Sequence, residues 1–141
     1  MNKYSDEYNL PIYQDPQCYD DEYWWKKNDL NFWRSCYKTT NSNSVLELAC
    51  GTGRIGIPLI RDGADYTGID ISKDFISFMK NKINGLQLNP STILIDDMRY
   101  FNLEKKFDLI IVGFNSFLHL LTETDIINCL NSVKKHCHQS T

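Results

Sequence analysis

At 141 residues, 42% apolar and 23% charged, the chain has an ordinary globular composition and the length of one domain, 1–141, able to bury a real core. A net charge of −3 offers no broad basic surface, which sets nucleic acid aside as a partner. Five cysteines without framework spacing, no apolar leader and no run long enough to cross a membrane point to a reducing cytoplasm and no membrane contact.

Met1 to Asp15 is polar, is broken by Pro11 with Pro16 just beyond, and shows no sustained period, so an irregular arm is expected. Asp20 and Asp21 then offer a helix start. Leu30, Trp33 and Tyr37 recur at helical spacing, and the polar stretch Thr39 to Ser44 separates this arm-and-helix region, 1–43, from a core spanning 44–141. Tyr13, Tyr19, Tyr23, Trp24, Trp25 and Phe32 crowd into the first region, most of them for packing and some for lining a pocket.

Val45, Leu46 and Leu48 form a short apolar run that the cluster Gly51-Thr52-Gly53 stops, the pattern of a buried strand turning sharply into a helix. Arg54 to Arg61 reads as that helix, with Pro58 near its first turn and Asp62-Gly63 closing it. A second strand, Asp65 to Ile71, carries Asp70 at its end. Ser72 is an N-cap for a helix with Phe75, Met79, Ile83 and Leu86 on one face. Thr92–Ile95 is a third strand running into Asp96-Asp97-Met98-Arg99, and Phe107–Gly113 a fourth. Thr122 and Asp125 have capping-box spacing, and Ile126, Leu130, Val133 and Cys137 mark the buried face of a last helix. Regular alternation of strand and helix argues α/β architecture, a parallel sheet with helices on both faces.

Gly51, Gly53 and Gly56 spell the dinucleotide fingerprint, with Asp70 at the distance where an acid takes ribose hydroxyls. That match alone suits a nicotinamide-dependent oxidoreductase. Glu47 speaks against it, because a nicotinamide-binding strand is usually apolar up to its glycines, and so does the pair Asp97-Met98.

The run Val45 to Arg54 closely resembles the first motif of the class I S-adenosylmethionine-dependent methyltransferases, and three further motifs follow in order. The resemblance implies a Rossmann-like three-layer sandwich with strand order 3-2-1-4. It implies S-adenosylmethionine as cofactor, S-adenosylhomocysteine as product and an unidentified, small-molecule methyl acceptor. It places the cofactor on Glu47, Ala49, Cys50, Gly51, Thr52 and Gly53 of the first motif. Asp70 and Ile71 belong to the second motif, where the acid binds both ribose hydroxyls. Asp97 and Met98 belong to the third, with the acid on the adenine amino group and the methionine against the ring. Phe114 and Asn115 end the fourth, facing the sulfonium, and Tyr19 of the Tyr19-Asp20 pair is expected to lie over the cofactor. From the strand end, Glu47 is expected to orient the cofactor's amino group. No catalytic side chain is assigned.

Other polar residues have blander readings. Asp108 is expected to serve helix or loop N–H groups, Arg99 to solvate its loop rather than cover the cofactor, and His119 to pack beside Leu118 and Leu120 rather than reach the site. Cys50 is expected as a small buried side chain rather than a nucleophile. His136-Cys137-His138 lacks a second ligand pair and is read as structural, so no metal is expected. In similar proteins a Pro-Gly-Gly turn, a fifth strand and a closing hairpin follow the last helix, whereas Cys137 to Thr141 stands here. With C-terminal strands missing, Phe107–Val112 becomes an open edge, which predicts a homodimer through the fourth strand or last helix. The same shortness leaves a non-catalytic cofactor-binding fragment as an alternative.

Overall fold

In the computed structural model, residues 11–39, 41, 43–139 and 141 are described; of the arm expected over Met1–Asp15, the part Met1–Leu10 lies outside them. Pro11–Gln14 is a helical turn, α1, rather than irregular chain. The next helix, α2, covers Pro16–Tyr23 and begins earlier than Asp20-Asp21. Asp15 is its cap: its Oδ1 accepts from the N–H groups of Gln17 at 2.9 Å and Cys18 at 3.2 Å, while Pro16 fills a first-turn position that needs no donor. Helix α3 spans Leu30–Thr39.

The core then alternates as expected: β1 (Ser44–Leu48), α4 (Gly56–Arg61), β2 (Asp65–Asp70), α5 (Lys73–Gly85), β3 (Thr92–Ile95), β4 (Leu109–Val112) and α6 (Glu123–Lys135). All pairings are parallel and the order is β3-β2-β1-β4. Val45 stands opposite Tyr66 and Leu109, and Glu47 opposite Gly68 and Ile111. Period-two alternation sorts the side chains. Val45, Tyr66, Ile93 and Ile111 pack beneath α3, α4 and α5, and Leu46, Leu48 and Ile69 pack with Phe101, Phe107 and Cys129 beneath α6. Among the described residues no helix is long and apolar enough to cross a membrane.

Both expected caps form. Ser72 Oγ accepts from Phe75 N–H at 3.3 Å and Thr122 Oγ1 from Asp125 N–H at 3.1 Å. The buried faces differ in detail. On α5 the buried set is Phe75, Ile76, Met79 and Ile83, and Leu86, already past the helix end, is exposed. On α6 it is Asp125, Cys129 and Ser132, continued by His136, whereas Leu130 is 51% exposed and Cys137 only half-buried. Small side chains let α6 approach closely, and polar ones find partners there: Ser132 Oγ donates to Arg99 O at 2.9 Å.

The fourth strand is shorter than expected, because Phe107 belongs to the tail pairing. Its N–H donates to His136 O at 3.0 Å, its carbonyl accepts from Thr141 Oγ1 at 2.7 Å, and it bridges Cys137. Among the described residues the edge of the sheet is therefore Leu109–Val112, without Phe107. Asp108 works as expected, accepting on Oδ2 from the N–H groups of Asn43 at 3.0 Å and Ser44 at 2.9 Å. Those two N–H bonds, Ser44's first, hold its carboxyl well below the usual carboxylate range.

Candidate functional site

A cavity of about 440 Å³ opens at the C-terminal ends of the strands, floored by the β1–α4 turn and walled by the loops after β2, β3 and β4. This is where an open α/β sheet places ligands, since the chain diverges above and below the sheet at that point.

The turn has three left-handed residues, Ala49, Gly51 and Gly53, with φ of 54°, 57° and 88°. Ala49 in that region is a local strain of the kind that accumulates at functional sites. Of the first-motif residues expected at the cofactor, Ala49 and Gly51 line the cavity, and Glu47, Cys50, Thr52 and Gly53 are buried. Cys50 is 4% exposed, burial pushes its thiol well up, and its N–H donates to Ile69 O at 2.9 Å. Thr52 is buried. Gly53 serves packing: a Cβ there would stand 3.0 Å from Ile57 and Met79. At Gly56 a Cβ would meet the Tyr66 hydroxyl at 2.4 Å, so the last glycine of the fingerprint lets α4 lie on β2. Glu47 does not line the cavity either. Its carboxyl lies in the core beneath the turn, 3% exposed, accepting a hydrogen bond from the Tyr66 hydroxyl.

Asp70 is the hinge of the site. Its Oδ2 accepts from Gly51 N–H at 2.9 Å and its Oδ1 from Ser72 N–H at 2.8 Å, so one carboxylate joins the glycine turn to the start of α5. Burial raises its pKa, opposed by those two N–H bonds. Ile71 and Ser72 line the cavity beside it.

On the far wall stand Asp97 and Met98. Arg99 does not simply solvate this loop. Its Nε and backbone N–H donate to Asp97 Oδ1 at 3.0 and 2.9 Å, one terminal nitrogen donates to Asp97 Oδ2 at 2.6 Å, and the other reaches Asp125 Oδ1 at 3.0 Å. Burial works to raise the Asp97 carboxyl, yet the Arg99 bonds hold it below the usual range. The loop is thereby pinned to the first turn of α6.

An aromatic roof closes the cavity. Tyr19 packs at 4.9 Å from Phe75 and 4.8 Å from Tyr23, and Tyr23 meets Phe114 edge-on at 5.2 Å. Phe114, with φ of 55°, and Asn115 follow β4 and line the cavity. His119 packs as expected, edge-on to Tyr13 at 5.8 Å, and it lines the cavity as well. Tyr13 and Tyr23, which the sequence offers only as members of the aromatic cluster before β1, line the cavity together with Tyr19.

His136 is a core histidine: Nδ1 lies 2.7 Å from Ser132 O and Nε2 accepts from Leu103 N–H at 2.9 Å. His138 Nε2 lies 2.8 Å from Asp108 Oδ1. Among the described residues no group of three or more His, Cys, Asp or Glu side chains is placed to hold a metal ion. Asp70, Asp74, Asp96 and Asp97 line the cavity together, and the guanidinium of Arg99 is committed to Asp97 and Asp125. Such a wall, roofed by aromatic rings, favours a cationic ligand with a planar group.

A profile of the family described as "Methyltransferase domain" matches residues 45–140. YqeM of Bacillus subtilis (strain 168), a protein assigned as a methyltransferase, is 38% identical over 90 residues, which are 63% of this chain and 36% of that protein. The dTDP-3-amino-3,4,6-trideoxy-alpha-D-glucopyranose N,N-dimethyltransferase of Streptomyces venezuelae is 27% identical over 99 residues, 70% of this chain and 40% of that one. Among solved structures, the glycopeptide N-methyltransferase MtfA complexed with S-adenosyl-L-methionine superposes with a TM-score of 0.68 at 25% identity, covering 79% of this chain and 50% of that one. The chain thus spans half or less of the length of these proteins.

Proposed function

The chain belongs to the methyltransferase-domain family, and we propose that its cavity binds S-adenosylmethionine and that the protein transfers a methyl group to a small-molecule acceptor. The observation that carries this reading is Asp70. An ionised carboxylate has about four acceptor positions, and the backbone bonds from Gly51 and Ser72 occupy one on each oxygen, leaving one on each for a pair of ribose hydroxyls.

In this reading Asp97 accepts from the adenine amino group with Met98 and Ile71 on either side of the ring. Ala49 and Gly51 meet the amino-acid end. Tyr19, Phe114 and Asn115 enclose the reactive end, while Glu47, Cys50, Thr52 and Gly53 shape the turn from below. Bound S-adenosylmethionine supplies a methyl group already activated by its sulfonium. The chain's own part is to hold that cation among carboxylates, fix its direction and exclude water with the aromatic roof. The acceptors named for the Streptomyces venezuelae relative and for MtfA, a sugar nucleotide and a glycopeptide, support a small-molecule acceptor here.

Isothermal titration with S-adenosylmethionine, S-adenosylhomocysteine and NAD tests the reading. Saturable binding of the first two and none of NAD supports it. Binding of NAD alone overturns it in favour of the oxidoreductase.

Among the described residues β4 stands at the edge of the sheet, with Ile127 and Leu130 of α6 about half exposed, which supports a two-fold homodimer through β4 or α6 in which each copy covers the other. All five cysteines are free thiols, which supports a cytoplasmic location.

A further inference from the structure

Arg54 follows the glycine turn directly, yet it does not line the cavity. Its guanidinium forks onto Asp29, one terminal nitrogen donating to Oδ1 at 2.6 Å and the other to Oδ2 at 3.0 Å, and the first also donates to Lys26 O at 2.8 Å. Asp29 is held in register from α3, where Trp33 Nε1 donates to it at 3.2 Å. The same guanidinium lies 5.5 Å from the centroid of the Phe114 ring, and the Lys26 ammonium 5.7 Å from it. Tyr23, just before this connector, meets Phe114 edge-on. One side chain of the glycine turn therefore touches the α2–α3 connector, which follows directly on Tyr23 of α2, and Phe114 in the loop after β4; Tyr23 and Phe114 both line the cavity.

Planar, two-pronged pairing of this kind fixes direction as well as distance, which a lysine cannot reproduce. We infer that Arg54 is a positioning residue that closes the Tyr23–Phe114 wall over a ligand seated on the glycine turn and so sets how slowly that ligand leaves. The inference rests on the proposed cofactor site for its ligand, but its mechanical part, the hold on the connector, stands in the free protein. Loss of the hold opens an exit without touching the groups that grip the ligand. The effect belongs in the dissociation rate.

The test uses the full chain with S-adenosylhomocysteine as probe, read by stopped-flow tryptophan fluorescence, because Trp24, Trp25 and Trp33, the three tryptophans, flank the contact. Arg54→Met and Asp29→Asn should each raise the dissociation rate about tenfold with the association rate within about twofold of the parent. The double variant should be no faster than either single one, since both remove one contact. Arg54→Lys, which keeps the charge near Phe114 and loses the fork, should fall between. Unchanged dissociation, additive singles, or a loss confined to association overturns the inference. Hydrogen exchange of the ligand-free chain is the second readout: the amides of residues 26–29 should exchange faster in Arg54→Met while those of β1 and β2 do not. Equal protection there overturns the positioning role even if S-adenosylhomocysteine does not bind at all, whereas failure of binding with faster connector exchange overturns only the cofactor assignment.

Discussion

The hydroxyl of Tyr66 on β2 donates a hydrogen bond to Glu47 Oε2 on the neighbouring strand β1, deep beneath the glycine turn. Burial pushes the Glu47 carboxyl up from its ordinary 4.5 to about 8, against the lowering effect of the Tyr66 bond and of Arg54. The folded state therefore keeps a proton that the unfolded chain releases above its own pKa, and stability falls as pH rises from about 4.5 to 8. Glu47→Gln keeps an acceptor for Tyr66 and abolishes the titration. Thermal melts at pH 5, 6.5 and 8 should show the variant gaining on the parent as pH rises, by on the order of 3 kcal/mol at pH 8. Parallel curves would mean that Glu47 ionises normally in the fold.

Asp70 is predicted to matter more for the ligand than Glu47 does. Asp70→Ala removes a charge-assisted acceptor for the ligand and releases the N–H groups of Gly51 and Ser72, so calorimetric affinity for S-adenosylmethionine should drop roughly ten- to a hundredfold, about 1.5–3 kcal/mol. Glu47→Gln should cost less, because its carboxyl does not reach the cavity. The opposite order would place the ligand's main anchor at β1 rather than β2.

His136 should carry stability and no ligand. Its ring lies 4.5 Å from Phe101, between Ser132 O and the N–H of Leu103. His136→Phe keeps the ring but strands both of those backbone groups, at a cost of about 1–3 kcal/mol for each buried group left unpaired. Urea unfolding should show that loss with S-adenosylhomocysteine affinity unchanged; weakened binding at full stability would contradict it.

Light scattering at micromolar concentration checks the homodimer. The parent should run as a dimer, and Leu130→Asp, on the exposed face of α6, should shift it toward monomer without lowering the melting temperature. A parent that is monomeric with a cooperative melt refutes the dimer.

Much of the fold could be read from the chain because its signals are local. Apolar runs of strand length, stopped by Gly51, Asp70, Asp96 and Gly113, mark a parallel sheet. The caps Ser72 and Thr122 need partners only three residues away, Phe75 and Asp125. Asp70 stands out by its spacing from the glycines and by the second-motif resemblance, whereas the bonds that join its carboxylate to Gly51 and Ser72 depend on how the two loops meet. Tertiary structure alone decided which side chains meet across long separations. It turned Glu47 toward Tyr66 instead of the cavity, gave Arg99 to both Asp97 and Asp125, joined Arg54 to Asp29, and gathered Tyr13, Tyr19 and Tyr23 into a roof. It also chose the face of α6. Periodicity there fits a stripe through Leu130 as well as one through Cys129 and Ser132, and the second prevailed because small side chains allow close approach and Asp125, Ser132 and His136 find hydrogen-bond partners only on that side.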